Sequence, residues 1–302
     1  MAALLMVIFC WGCVPVMLRQ LTHTIDPWVA NSIRYPLSAI LFWPVLIYFY
    51  HRGTLTRQVI RQCMVPAMCA LSSQILWASA PYYLPASPIG FLARLSMLFS
   101  ILFAMLWVRE ERKLLHIRQF YYGLLATTAG FLLLSLGAGI QTEEISLTGL
   151  LIMLGFSVLI GLYVVSVRTH LPGIHPILSF GVIAQMVSFG VLVMGSIWGN
   201  WQILPQLPTS SWILLIISSV LGIATAHTLL YTAVHRLGAS VTAGIQNLTP
   251  LITALLAIVF LHERLSVIQC SGGLMILLGS AWLLRAHKKT IAANQTTKTK
   301  NR

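Results

Sequence analysis

The residues most able to do chemistry in this sequence are two arginines and a histidine inside long apolar stretches: Arg34, Arg94 and His227. A charge near the centre of a bilayer costs about 2.5–3.5 kcal/mol on insertion scales and about 10–17 kcal/mol in simulations, so such a residue points to a partner or a function. All six acidic residues fall outside the apolar stretches, so no carboxylate is available there to neutralise an arginine or to relay protons.

Arg94 is the most informative of the three because of its depth. It lies about eight residues, or roughly 12 Å, inside its predicted helix, near the midplane of a core about 30 Å thick. Two interpretations are open: a structural arginine bonded to carbonyls and hydroxyls, or an arginine that grips a carboxylate or phosphate of a substrate. Arg34 lies near the outer end of its helix, so its side chain can reach the interface. The predicted substrate-binding residues are Arg94, Asn247, Gln246, His227, Trp77, Tyr231, Trp11 and Arg34.

His227, Tyr231 and His235 recur every four residues, so they share one face of a predicted helix. His227 is the best-placed proton carrier because its ring titrates near physiological pH, and a neutral histidine hydrogen-bonded within the bundle is the alternative. Pro250 frees a backbone carbonyl in the turn before it, and that carbonyl either contacts substrate or only accompanies a kink that shapes the bundle. Trp77 either lines a cavity or packs.

Nothing in the sequence favours catalysis or metal binding. Cys10 and Cys13 form a C-x-x-C pair inside an apolar stretch with no second pair, so we interpret them as small buried apolar residues. The sequence contains no H-E-x-x-H or G-x-S-x-G motif and no acid within an apolar stretch. We therefore predict no enzyme activity, no catalytic residue, no metal site and no cofactor.

The composition indicates that lipid surrounds most of the chain. Hydrophobic residues make up 58% of the 302 residues and charged residues only 8%, against roughly 45–50% and about 25% in soluble domains. Ten apolar runs predict ten transmembrane helices in an all-α integral membrane fold. They lie at about 2–18, 28–49, 63–82, 86–107, 119–138, 147–167, 176–198, 212–234, 239–261 and 267–285.

The net charge of +13 is distributed in a way that indicates a membrane topology and no nucleic-acid partner. The basic residues form short clusters between the apolar runs and at the C-terminus, as in a membrane protein that binds the lipid bilayer. With both termini cytoplasmic, fifteen of the nineteen Lys and Arg residues lie on the cytoplasmic side and two on the opposite side. This asymmetry predicts a multi-pass protein of the bacterial inner membrane with cytoplasmic N- and C-termini.

The two halves of the sequence resemble each other. Gly12 and Arg19 match Gly161 and Arg168 at an offset of 149 residues, and Leu84-Pro-Ala-Ser87 matches Leu237-Gly-Ala-Ser240 at an offset of 153. Five helices per half predict two inverted five-helix repeats, residues 1–140 and 147–286, followed by a basic cytoplasmic tail, 287–302. Inverted repeats of this kind are typical of secondary transporters.

The predicted fifth and tenth helices each carry two glycines seven residues apart. We interpret these glycines as sites of close helix packing, since small residues let helices approach in lipid. The four residues are Gly123, Gly130, Gly272 and Gly279.

The chain resembles the EamA-type transporters of the drug/metabolite transporter superfamily. The features that carry the resemblance are Trp11-Gly12, Arg34, the stretch 250–257, Glu263-Arg264 and the Gly272/Gly279 helix. The resemblance covers nearly the whole chain. It implies a ten-helix transporter that exports, or in some members imports, amino acids, metabolites or drugs through a central cavity.

The predicted function is therefore export of small metabolites, such as amino acids or organic anions, by alternating access through that cavity. A channel-like or sensory membrane protein is the first alternative, and a membrane-embedded enzyme is the second. The predicted partners are a small-molecule substrate and the bilayer, with association into a homodimer left open.

Overall fold

The computed structural model describes residues 2–21, 24–80, 83, 93, 95–109, 111–137, 146–249, 252 and 267–300. All regular secondary structure in this part of the chain is helical, as expected where each backbone polar group must find its partner without water. The helices are α1 (Ala2–Leu21), α2 (Pro27–Leu41), α3 (Trp43–His51), α4 (Arg57–Ser79), α5 (Leu95–Trp107), α6 (Arg118–Gly137), α7 (Leu147–His170), α8 (Pro176–Trp198), α9 (Thr209–Ser219), α10 (Ala226–Leu237), α11 (Ala239–Ile245) and α12 (Val267–Lys300). Short 3₁₀ segments lie at Glu111–His116, Trp201–Gln206 and Gln246–Leu248.

In the part of the chain that the structure describes, five helical segments are long and apolar enough to cross a membrane. They are Pro27–His51, Arg57–Trp77, Leu147–His170, Pro176–Trp198 and Thr209–Leu237. Shorter apolar helices lie at Ala2–Val14, Leu95–Trp107 and Cys270–Ala286. The all-helical class is therefore as predicted, while the ten-helix count stays a prediction.

Several boundaries differ from the predicted ones for local reasons. The predicted third run starts at residue 63, but α4 begins six residues earlier because the Thr56 side chain accepts the Val59 N–H and caps the helix. Arg57 and Arg61 consequently belong to its first turns. The predicted second run is divided at Phe42 between α2 and α3. The helix α12 continues through the basic tail as far as Lys300.

The helix bundle has two ends, which we call the His170 end and the Trp198 end. At the His170 end, α7 ends and α8 begins, and the ring of Phe49 near the end of α3 lies 5.8 Å from that of His175. At the Trp198 end, α8 ends and α2 begins, and the Asp26 carboxylate caps α2 while accepting the Asn200 N–H. Between these ends, a buried core draws side chains from both halves of the sequence.

The glycines of α6 and α12 bring these helices into backbone contact. A Cβ added at Gly130 would lie 2.6 Å from the Gly272 carbonyl oxygen, and one at Gly279 would lie 2.6 Å from the Thr127 backbone nitrogen. One at Gly123 would lie 2.7 Å from the Leu283 side chain. The predicted packing role of these glycines is confirmed.

The helix that follows Thr209 is interrupted by one turn of π-helix. Residues Val220–Thr225 form this turn between α9 and α10, and we call it the π joint. The sequence predicted one uninterrupted helix over 212–234. A π turn closes its hydrogen bonds five residues apart instead of four, so it contains one residue more than an α turn and leaves carbonyls available to other helices.

Candidate functional site

Five side chains from four helices meet at the centre of the bundle: Trp11, Tyr163, Phe180, His227 and Tyr231. We call them the central aromatic cluster. The Tyr163 hydroxyl lies 2.9 Å from His227 Nδ1 and donates to the Tyr231 hydroxyl, also at 2.9 Å. The Phe180 and His227 rings stack at 5.3 Å with an angle of 6° between their planes, and Trp11 meets His227 edge-on at 5.3 Å.

The hydrogen bonds of this cluster specify the state of His227. Since the Tyr163 hydroxyl donates its proton to Tyr231, it can only accept from the histidine, which requires a proton on His227 Nδ1. A neutral His227 then has Nε2 free to accept. This is the hydrogen-bonded histidine of the second sequence interpretation, and proton coupling through His227 stays a prediction.

Trp11 ties the cluster to the π joint. Its indole Nε1 donates to the Gly222 carbonyl at 3.0 Å, a carbonyl of the π turn. A Cβ at Gly222 would lie 2.6 Å from Val14 Cγ2, so a larger residue there would displace α1. The joint is thus held against the first helix by a hydrogen bond and by close packing.

Arg34 is held inside the bundle on the other side of the joint. Its side chain is 6% exposed, Nε donates to Ser218 Oγ at 2.9 Å, and Nη1 donates to Asn31 Oδ1 at 3.1 Å. Nη2 lies 3.4 Å from the Ser218 carbonyl oxygen, and Ser219 Oγ donates to the Arg34 carbonyl. The prediction that Arg34 reaches the interface is wrong, because serines of α9 present oxygens to it within the bundle.

None of the recorded partners of Arg34 is an acid in the described part of the chain. Its three hydrogen-bond acceptors are an amide oxygen, a hydroxyl and a backbone carbonyl. Neutral acceptors satisfy N–H groups but do not cancel the charge, so the hydrogen-bond partners of Arg34 among the described residues leave its positive charge uncompensated.

A cavity of about 970 Å³ opens at the His170 end. It is lined by Trp107, Val108, Arg168, Thr169, Pro172, Gly173, Ile174, His175, Pro176, Thr232, His235 and Arg236. Two arginines and two histidines are among these residues, and no acid is. His235 lies on the same face of α10 as Tyr231 and His227, so that face leads from the cavity to the cluster, over roughly 12 Å.

The hydrogen bonds of Arg168 and His175 orient two of the basic residues in the cavity wall. Arg168 Nη1 donates to the His235 carbonyl at 2.7 Å near the end of α10. His175 Nδ1 accepts the Ile177 N–H at 3.3 Å, so its Nε2 carries the ring proton and can donate. His235 Nε2 is buried and has no partner among the described residues.

The described residues at the Trp198 end are closely packed. Trp28 and Trp198 lie 5.1 Å apart between ring centres, and Trp201 Nε1 donates to the Gly195 carbonyl at 2.8 Å. The cavity recorded between α2, α4 and α8 measures about 10 Å³, about the volume needed for one water.

The structure brings only some of the predicted binding residues together. Trp11, His227 and Tyr231 meet in the cluster, and Arg34 lies beside the π joint. Trp77 packs on Phe156 at 5.0 Å, in an apolar group of its own. Gln246 Nε2 is buried without a partner among the described residues. Arg94, Pro250 and the Asn247 side chain lie outside what the structure describes.

Sequence reasoning missed Tyr163, Phe180 and Ser218. Tyr163 was detectable as a hydroxyl-bearing side chain within the apolar run 147–167. Its position opposite His227 depends on how α7 packs on α10, which no local pattern specifies. Ser218 carried no signal, since serine is common in transmembrane helices.

Comparisons with known proteins place these features in a family. The sequence matches the EamA-like transporter family over residues 1–136 and 147–285, while no curated protein matches the chain. Twenty-eight chains of solved structures match. One, titled "Crystal structure of protein", has a TM-score of 0.77 at 16% identity and covers 93% of this chain and 95% of its own, which shows the fold alone. Because the family match spans both halves, this chain belongs to the EamA-like transporter family, a family of membrane transporters and not of enzymes.

Proposed function

We propose that this protein is a secondary transporter that exports small organic metabolites across the bacterial inner membrane by alternating access. In this proposal the chain forms ten transmembrane helices as two inverted five-helix repeats, 1–140 and 147–286, with both termini and the tail 287–302 in the cytoplasm. The family match supports transport. The fifteen-to-two distribution of basic residues supports the orientation.

The observation that carries the proposal is the cavity at the His170 end, because its lining residue His235 shares a face of α10 with His227 and Tyr231 of the central aromatic cluster. In the proposed orientation this end faces the cytoplasm. An opening on the cytoplasmic side is what alternating access requires of one of its two states. Substrate would enter past His235 and be held near His227, Tyr231 and Arg34.

The π joint supplies a place where the bundle can change shape. A π turn has fewer α-type hydrogen bonds to break than a regular helix, and such turns are frequent at functional sites. Here it contacts α1 through Trp11 and α2 through Arg34. Movement of α10 relative to α9 would therefore alter both predicted binding helices together.

Efflux from vesicles tests this function. Purified protein is reconstituted into liposomes loaded with a mixture of amino acids, organic acids and sugars, and the external medium is analysed over time. We expect at least one class to leave saturably and faster than from protein-free liposomes, and Trp11→Phe to slow that release. Unsaturable release of every solute would favour the channel alternative, and release of none would contradict transport.

A further inference from the structure

Basic side chains lie at both ends of the proposed route from the cavity to the π joint. Arg168, His175, His235 and Arg236 line the cavity, and Arg34 lies buried beside the joint. No acid lines the cavity or contacts Arg34 among the described residues. A solute that moves along this route therefore meets basic and neutral groups.

Glu111 is a described acid near the His170 end, and its carboxylate binds the start of α11. Glu111 Oε1 accepts the Ala239 N–H at 2.6 Å, and a Cβ at Gly238 would lie 2.8 Å from the same oxygen. Gly238 has a φ of 84°, a conformation that brings the start of α11 onto this carboxylate. Glu111 thus caps a helix and is absent from the cavity lining.

Arg34 has donors left for a ligand. A guanidinium carries five N–H groups, and each of its three nitrogens has one recorded hydrogen bond. One N–H on each terminal nitrogen remains, and a carboxylate or phosphate can accept from the two terminal nitrogens of a guanidinium in a forked arrangement. An acid placed there would cancel the buried charge, whereas a neutral or cationic ligand would leave it uncompensated.

We propose that the substrate is a small organic anion, and that Arg34 is the residue that selects it by charge. This inference rests on the proposed transport function and specifies its substrate class. A zwitterionic amino acid fits less well, because its ammonium group would find no carboxylate among the described residues of the route. The aromatic rings of the cluster favour anions with a planar apolar body, such as aromatic 2-oxo acids.

Ligand-dependent stability of the purified protein tests the assignment without requiring transport, since a ligand that binds the folded state raises its unfolding temperature. The probes are matched in shape: phenylpyruvate as the anion, phenylalanine as the zwitterion and phenylacetamide as the neutral compound. A wider panel adds aliphatic 2-oxo acids and their amino-acid counterparts. We expect anions to raise the unfolding temperature at concentrations at least tenfold lower than the amino acids do.

Three variants assign the effect to Arg34. Arg34→Gln should weaken anion binding at least tenfold, and Arg34→Lys, which keeps the charge but loses the fork, should weaken it less. Arg52→Gln is the matched control, because Arg52 is exposed, lies over the Tyr48 ring and is not among the described residues that line the cavity. If Arg34→Gln does not fold, two measurements still test the proposal. They are the effect of Arg168→Gln, in the cavity, on anion binding and the preference of the unaltered protein for anions over amino acids.

Equal stabilisation by amino acids and anions would overturn the proposal, as would no stabilisation by any anion or an effect of Arg52→Gln equal to that of Arg34→Gln. Failure here is distinguishable from failure of the proposed function. Efflux confined to amino acids or cations would leave transport standing and remove the anion assignment. Anion binding without any efflux would support the anion assignment and contradict the proposed transport.

Discussion

The contact between Gly222 and Val14 gives a sharp test of the π joint. In Gly222→Ala the new methyl would start 2.6 Å from Val14 Cγ2 and 3.5 Å from Arg34 Nη2. Carbon atoms pack at about 3.5–4.0 Å, so α1 and the joint must separate by about 1 Å. That displacement would also stretch the 3.0 Å bond from Trp11 to the Gly222 carbonyl beyond hydrogen-bond range.

The expected magnitude follows from three terms. Overpacking costs about 1–3 kcal/mol, and loss of the Trp11 hydrogen bond costs about 0.5–1.5 kcal/mol. Replacing a helical glycine by alanine stabilises the helix by about 0.8–1.0 kcal/mol. We expect Gly222→Ala to destabilise the protein by about 0.5–3.7 kcal/mol, measured by reversible unfolding in mixed detergent micelles.

A double-mutant cycle isolates the contact. Val14→Ala removes both Val14 methyls, including Cγ2, which the new methyl of Gly222→Ala would overlap. The double variant should therefore be more stable, by at least about 1 kcal/mol, than the sum of the two single effects predicts. Gly155→Ala is the matched control, since its new methyl would meet only the Leu76 Cδ1 methyl, at 3.0 Å. Additivity within about 0.3 kcal/mol, or a Gly222→Ala variant as stable as Gly155→Ala, would refute the tight joint.

Three further outcomes are expected. Tyr163→Phe removes the hydroxyl that joins His227 to the rest of the cluster, so unfolding should be easier by about 1–3 kcal/mol, and a change below about 0.5 kcal/mol would contradict the network. Gly279→Ala places a methyl 2.6 Å from the Thr127 backbone nitrogen and should lower the unfolding temperature by several degrees in a thermal scan. A reporter active only in the periplasm should be silent when fused to the C-terminus and active in loop 138–147, and activity at the C-terminus would reverse the orientation.

The apolar runs predicted most of the helices because twenty or so apolar residues leave the backbone few alternatives to helix in lipid. The glycine spacing in α6 and α12 predicted close packing for a similarly local reason. In both cases the physical cause acts within one segment or between two segments that carry the same signal. Such features can be inferred from composition and spacing alone.

The site was less predictable because it depends on contacts between distant segments. From its position in the sequence, Arg34 was expected to reach the membrane interface. Its partner Ser218 is 184 residues away, so no local pattern shows that the two side chains meet. It predicted a regular helix through Val220–Thr225 because hydropathy does not distinguish a π turn from an α turn. His227 and Tyr231 were found by their spacing, whereas Tyr163 and Phe180 come from other helices and share no periodicity with them.

The π joint also records how the two halves diverged. Matching residues are 149 positions apart at Gly12 and Gly161 but 153 apart at Leu84 and Leu237, so the halves differ by four residues between these points. A π turn takes up one extra residue without rotating the rest of its helix out of register, and α4 in the first half is α-helical throughout. One of the four additional residues of the second half can thus be accommodated in this turn, which frees the Gly222 carbonyl for Trp11 at a place where α4 of the first half continues as regular α-helix.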